Sequence, residues 1–281
     1  MDPFFIPVLA AGVAGGASAG LLGVFIVGMR MPFIGVCVSH AAMAGAVGGL
    51  LVSWPAFPCA LAAAVAASAS LGLVRTAPGR GAGDSNVAMG VLFSLLLGLT
   101  FLGIGLAPGS KTPMLGLLWG SLVFVGAREV WVAVASAAAL ALFVVLFGKE
   151  MRAILFSRLL AAAGGIHETF VYTLFLALCG LVLAVNLQAV GGLMIFSLIT
   201  NPAVAAFRVA RGFVRVCIVA SALGAASALG GFFAAYWFDL PTGACIVLLS
   251  SLLLGCGVLW DRRRAGVRAV LRPGAEKDML P

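Results

Sequence analysis

The chain has 281 residues, 63% of them hydrophobic and 9% charged, with a mean hydropathy of +1.20 and a formal net charge of +8. A soluble domain carries about 25% charged residues, so this composition excludes a water-soluble globule and implies an all-α polytopic membrane protein. The six cysteines lie scattered through apolar runs without a CxxC pair, and no disulfide framework is expected.

The opening MDPFFIPVLAAG lacks a basic n-region and does not read as a cleaved signal peptide. Cutting at charges and at Pro or Gly turns predicts nine spans near the twenty apolar residues that a membrane helix needs. They run roughly 4–28, 34–53, 57–75, 87–106, 129–147, 168–186, 190–207, 213–237 and 243–260. The first carries Gly12, Gly16 and Gly20 four residues apart, and the second Ala41, Gly45 and Gly49, both small-residue faces suited to tight helix packing. Met114 to Val125, after the loop APGSKTP, is too short to span and is expected as an interfacial half-helix. The stretch from Gly148 to His167, GKEMRAILFSRLLAAAGGIH, is too polar to span. Ile154, Leu155, Leu159 and Leu160 are expected on one side of a short amphipathic helix there, with Arg152 and Arg158 toward the headgroups or a partner, until the glycines break it. The tail, 261–281, is charged, contains Pro and Gly, and is expected to be loose.

With the N-terminus placed outside, fifteen of the seventeen Lys and Arg fall on the cytoplasmic side, and only Lys111 and Arg128 fall outside. That asymmetry is the positive-inside signal. It accounts for the basic charge as topology rather than nucleic-acid binding, and puts the C-terminus in the cytoplasm.

All nine acidic residues fall in loops or at span ends. A proton- or sodium-coupled transporter usually needs a carboxylate at membrane depth, so that class is disfavoured. There is no HExxH, no buried aspartate pair and no GxxxxGK[ST] loop, so neither proteolysis nor ATP hydrolysis is expected of this chain. The expectation is therefore not an enzyme.

His40, one of two histidines, stands inside the second span. It is either a packing residue or a transient ligand for a soft or borderline divalent cation. Cys37, three residues earlier on the same face, is either packing or a second metal ligand. Asn201 and Pro202 interrupt the seventh span in LITNPAVAAF. Proline there frees a carbonyl, marking either a kink beside a pathway or one made by packing.

Four stretches, taken in order, resemble the membrane subunits of bacterial ABC transporters for zinc, manganese and iron uptake. In MRMPFIGVCVSHAAMAG, Arg30, Met31, Phe33, Gly35, His40 and Ala41 fit. In SRLLAAAGGI, Ala161, Ala163, Gly165 and Ile166 fit the segment that docks on the ATPase. Val190, Gly191, Leu193, Pro202 and Ala203 fit in VGGLMIFSLITNPAVAAF, and Asp239, Pro241 and Gly243 in DLPTGACIVLL. The resemblance covers nearly the whole chain, to about Gly257.

It implies a single permease domain, 1–260, in the bacterial inner membrane. The permease would work as a homodimer in the lipid bilayer, with two cytoplasmic ATPase subunits and an extracytoplasmic metal-binding protein. The divalent metal would be its cargo; no cofactor is expected on this chain. His40, Cys37 and Asn201 are the expected pathway residues, the first two as metal ligands. Arg152, Ser157, Arg158, Ala161, Ala163, Gly164, Gly165 and Ile166 are the expected coupling residues, in a segment of about 148–167. One departure matters: the family's acidic residue after Gly35 is Val36 here. The coupling segment also lacks its acidic start, having Ser157 and Arg158. The site is then rebuilt, as with Cys37, or the cargo is a chelated metal or a small organic molecule. An ATP-independent channel is the remaining alternative.

Overall fold

The computed structural model describes residues 5–31, 33–75, 82–107, 127–190 and 195–271. The expected half-helix from Met114 to Val125, and Gly191 and Leu193 of the third motif, lie outside these residues. Every element among them is helical: α1 (Phe5–Gly28), α2 (Phe33–Leu51), α3 (Ala56–Arg75), α4 (Ala82–Leu106), α5 (Ala127–Phe156), α6 (Arg158–Ala163), α7 (Glu168–Val190), α8 (Ile195–Val209), α9 (Phe213–Phe238) and α10 (Thr242–Leu271). Apolar segments in hydrocarbon must satisfy their backbone groups internally, which a helix does. Seven of the described helices are long and apolar enough to cross a membrane; α3 and α8 carry shorter apolar stretches, Ala56–Leu71 and Ile195–Val209.

The centre of the bundle is α7, whose Tyr172, Phe175, Leu176, Cys179 and Leu183 are buried, with α1, α2, α3 and α5 packed around it. Close crossings rest on the small-residue faces. A Cβ on Gly16 or Gly20 of α1 would run into the carbonyls of Gly224 or Ala220 on α9, and one on Gly45 of α2 would lie 2.5 Å from the Cys59 carbonyl of α3. Hydrocarbon does not drive helices together, so such close van der Waals contact holds them. The outer faces of α4 (Val87, Val91, Leu95, Leu102) and α5 (Trp131, Leu142, Val145) are exposed and suit lipid or a partner helix.

Two sequence expectations need correction. Helix α5 does not stop near 147 but continues to Phe156, kinking at Phe147 (φ −109°, ψ 15°). The added turns are good helix formers that bury Met151 and Ile154. Ser157 then breaks the helix in an extended conformation (φ −163°, ψ 120°). The apolar residues on either side consequently part: Ile154 and Leu155 turn into the core, while Leu159 and Leu160 face out, 81% and 61% exposed. They do not share one amphipathic side. Likewise, α10 runs past Asp261 to Leu271, so the start of the tail is helical, and the rest of the expected loose tail, 272–281, lies outside the described residues. Asp261 pairs with Arg208 at 3.5 Å, and the Arg264 guanidinium sits 5.0 Å over the Trp260 ring.

Candidate functional site

His40 sits eight residues into the 19-residue α2 and is 2% exposed. Its Nδ1 lies 2.9 Å from the Val36 carbonyl one turn back. A carbonyl only accepts, so the hydrogen bond assigns the proton to Nδ1. Nε2 is buried and has no hydrogen-bond partner among the described residues. A second proton there would be an unsatisfied buried donor, costing about 1–3 kcal/mol; a lone pair there is an open acceptor. A metal-ligating histidine usually donates its other ring nitrogen to a carbonyl in this way. The Phe93 ring of α4 meets the imidazole edge-to-face at 4.8 Å, and Phe33 meets Phe93 at 6.1 Å. These aromatics wall one side of the histidine and hold its orientation.

Cys37 is a free, fully buried thiol three residues before His40. Val36, half-buried one turn before His40, stands where a carboxylate would share the histidine's face. Among the described residues no three of His, Cys, Asp and Glu lie together closely enough to hold a metal ion.

Asn201 is placed elsewhere. Its amide nitrogen donates to the hydroxyls of Ser197 (2.7 Å), Ser250 (3.1 Å) and Ser251 (3.0 Å), tying α8 to α10. No hydrogen bond or ring contact joins it to His40 among the described residues. Pro202 lies inside α8 and is buried.

Seven of the eight expected coupling residues, from Ser157 to Ile166, form a compact capped unit. The Ser157 hydroxyl accepts from the Leu160 amide at 3.3 Å, capping the start of α6. At the other end the Gly165 amide donates to Ala162 at 3.0 Å and the Ile166 amide to Ala161 at 3.1 Å. Gly165 holds φ +82°, so these bonds make a Schellman cap, which favours glycine there. Arg158 reaches back to α7: its Nε and Nη2 donate to one oxygen of Glu168 at 2.9 and 2.5 Å. Its guanidinium also lies 4.4 Å over the Tyr172 ring. The Tyr172 hydroxyl in turn donates to Met31 Sδ at 3.8 Å, in the turn that launches α2. A continuous chain of contacts thus leads from α6 to the foot of the helix carrying His40. Arg152 is not part of this unit, because its guanidinium lies over Phe213 of α9 at 5.4 Å.

Glu168, Tyr172, Phe93 and the three serines around Asn201 escaped the sequence reading. Arg158 and Glu168 are separated by a helix break, so no helical spacing pairs them, and the serines lie 49–50 residues from Asn201 or on its own helix.

The model of the ABC 3 transport family matches residues 1–260. The manganese import system permease protein ScaB of Streptococcus gordonii is 28% identical over 250 residues, covering 89% of this chain and 88% of that protein. The manganese transport system membrane protein MntC of Listeria monocytogenes is 27% identical with the same coverage. Among solved structures, PsaBC from Streptococcus pneumoniae in complex with Fab superposes with a TM-score of 0.80 at 26% identity, over 92% of this chain and 91% of that one.

Proposed function

The chain belongs to the ABC 3 transport family, and from that premise we propose that it is the multi-pass permease subunit of an ATP-driven importer of divalent metal ions. It works in the bacterial inner membrane, with manganese, named for its relatives, as the leading cargo. The observation that carries the metal reading is the buried His40, whose Nδ1 is engaged by Val36 and whose Nε2 has no described partner at membrane depth. A single imidazole with a neighbouring thiol binds weakly enough to release its ion, as a pathway requires.

ATP is hydrolysed on separate cytoplasmic subunits that press on α6. The exposed Phe156, Leu159 and Leu160 support this, because an apolar surface beside the cationic Arg158 is what a docking partner covers. The pathway opens between two copies of the chain, with α3 and α8 spanning alongside the seven longer helices, the N-terminus outside and the C-terminus inside. An extracytoplasmic binding protein delivers the ion. Push and release at α6 pass through Arg158, Tyr172 and Met31 to α2, shifting His40 between two positions.

The test is uptake into proteoliposomes holding the permease, its ATPase and binding protein, comparing manganese, zinc and iron. ATP-dependent uptake of one ion, abolished in His40→Ala with ATP hydrolysis retained, is the expected result. Normal transport by the variant would remove His40 from the pathway. A chelated or organic cargo is a second reading, favoured by Val36 where a hard oxygen ligand would stand; it predicts that no free ion is taken up.

A further inference from the structure

A groove of about 550 Å³ opens on the outside of the bundle between α1, α5 and α9. Its walls are apolar, with Leu21, Val144, Val145, Val214 and Ile218 lining it. Val145, Val214 and Ile218 are 80%, 64% and 63% exposed, so these walls are open on the outside of the bundle. Lys149 and Arg152 stand at one end. Arg152 is fixed there by its Nε donating to the Gly148 carbonyl at 3.1 Å and by its seat over Phe213.

Neither cation has an acidic partner among the described residues, where the ion pairs are Arg158–Glu168 and Arg208–Asp261. No acid is among the described residues that line the groove. Glu150, between the two cations in sequence, turns instead into a separate cleft with Gly165, Ile166 and Phe170. The feature is therefore two cations, without an acidic partner among the described residues, at one end of an apolar groove.

We propose that this groove binds an anionic phospholipid, its phosphate on Lys149 and Arg152 and an acyl chain along Val145, Val214 and Ile218. A phosphate accepts charge-assisted hydrogen bonds from both side chains. The apolar channel selects a lipid over free phosphate, and the charge selects an anionic headgroup over a zwitterionic one. The site lies on the segment between the Phe147 kink and α6, so an occupied groove braces the stretch of α5 that leads into α6. This inference requires that the helices span a membrane but does not depend on the identity of the cargo.

The test is native mass spectrometry of the purified protein after equilibration with equal amounts of phosphatidylglycerol and phosphatidylcholine. Wild type should retain phosphatidylglycerol about thirtyfold over phosphatidylcholine, roughly fivefold for each basic residue at a membrane surface. Lys149→Gln/Arg152→Gln should bring that ratio close to one without changing the elution volume. Ala141→Phe, which narrows the groove and leaves both charges, should lower retention of both lipids. Equal retention of the two lipids by wild type, an unchanged ratio in the double variant, or full retention in Ala141→Phe would each overturn the proposal. So would a Val145→Cys cross-link between two copies, which would show that a second chain fills the groove. If the double variant fails to fold, the wild-type ratio and Ala141→Phe still decide the matter.

Discussion

Replacing Arg158 by glutamine removes the link between α6 and α7. Two charge-assisted hydrogen bonds to Glu168 go with it, at 2.9 and 2.5 Å, and so does a guanidinium seated 4.4 Å over Tyr172. Exposed ion pairs contribute about 0–1 kcal/mol, and truncating one partner of a fully buried pair costs about 3–5 kcal/mol. Here the side chains are 25% and 21% exposed, which puts the pair between those limits at about 1–2 kcal/mol after solvent screening. A partly desolvated cation–π contact adds about 1 kcal/mol. A loss of about 2–3 kcal/mol multiplies the undocked population of α6 about 30- to 150-fold. Two assays read this. Hydrogen exchange at the Gly164, Gly165 and Ile166 amides should speed up by that factor. In proteoliposomes with the partner ATPase, ions moved per ATP hydrolysed should fall at least about tenfold while the complex still co-purifies. Tyr172→Phe keeps the ring under the guanidinium and loses the bond to Met31, so exchange at α6 should be unchanged and coupling should fall less. Unchanged exchange and unchanged stoichiometry in Arg158→Gln would refute the reasoning.

Other substitutions test the remaining parts. Val36→Asp sets a carboxylate one turn before His40 on the same face, and should shift competitive uptake toward manganese over zinc, as a hard oxygen ligand favours the harder ion; an unchanged preference would remove position 36 from the pathway. Gly16→Ala drives a methyl into the Gly224 carbonyl and to 2.9 Å from the Ala228 Cβ, so detergent melting should show a loss of about 1–3 kcal/mol. Gly90→Ala, with nothing within 4 Å of its Cβ, should be neutral or slightly stabilising, since alanine favours the helix by about 0.5–1 kcal/mol. Gly165→Ala forces a side chain into φ +82° and should weaken the α6 cap by about 1 kcal/mol, seen as faster exchange at Ile166 with the bundle's melting temperature unchanged.

The bundle was legible in the sequence wherever the signal is local. Seven of the nine predicted spans fall on helices long and apolar enough to cross a membrane, α1, α2, α4, α5, α7, α9 and α10, because length and apolarity are properties of one segment; the third and seventh meet the shorter apolar stretches of α3 and α8. The glycine faces were legible too, and Gly16, Gly20 and Gly45 do make the close crossings. Boundaries set by charge were less reliable. Lys149, Glu150 and Arg152 looked like a loop, yet they continue α5 because Met151 and Ile154 on the same turns are buried. In the segment 148–167 the sequence suggests one side for two apolar pairs that the structure parts, since no spacing rule sees the break that Ser157 makes between them.

The sequence by itself determined the membrane class, the helical content and the isolation of His40 among apolar residues. In hydrocarbon each segment must close its own backbone hydrogen bonds, and hydropathy alone reports that. Only the tertiary structure decided what each polar side chain meets: Phe93 and an open Nε2 at His40, three serines at Asn201, Glu168 and Tyr172 at Arg158, and α9 at Arg152. Those pairings depend on how helices rotate and cross. Within the membrane that is set by close-fitting small residues far apart in the chain rather than by any one segment's hydropathy.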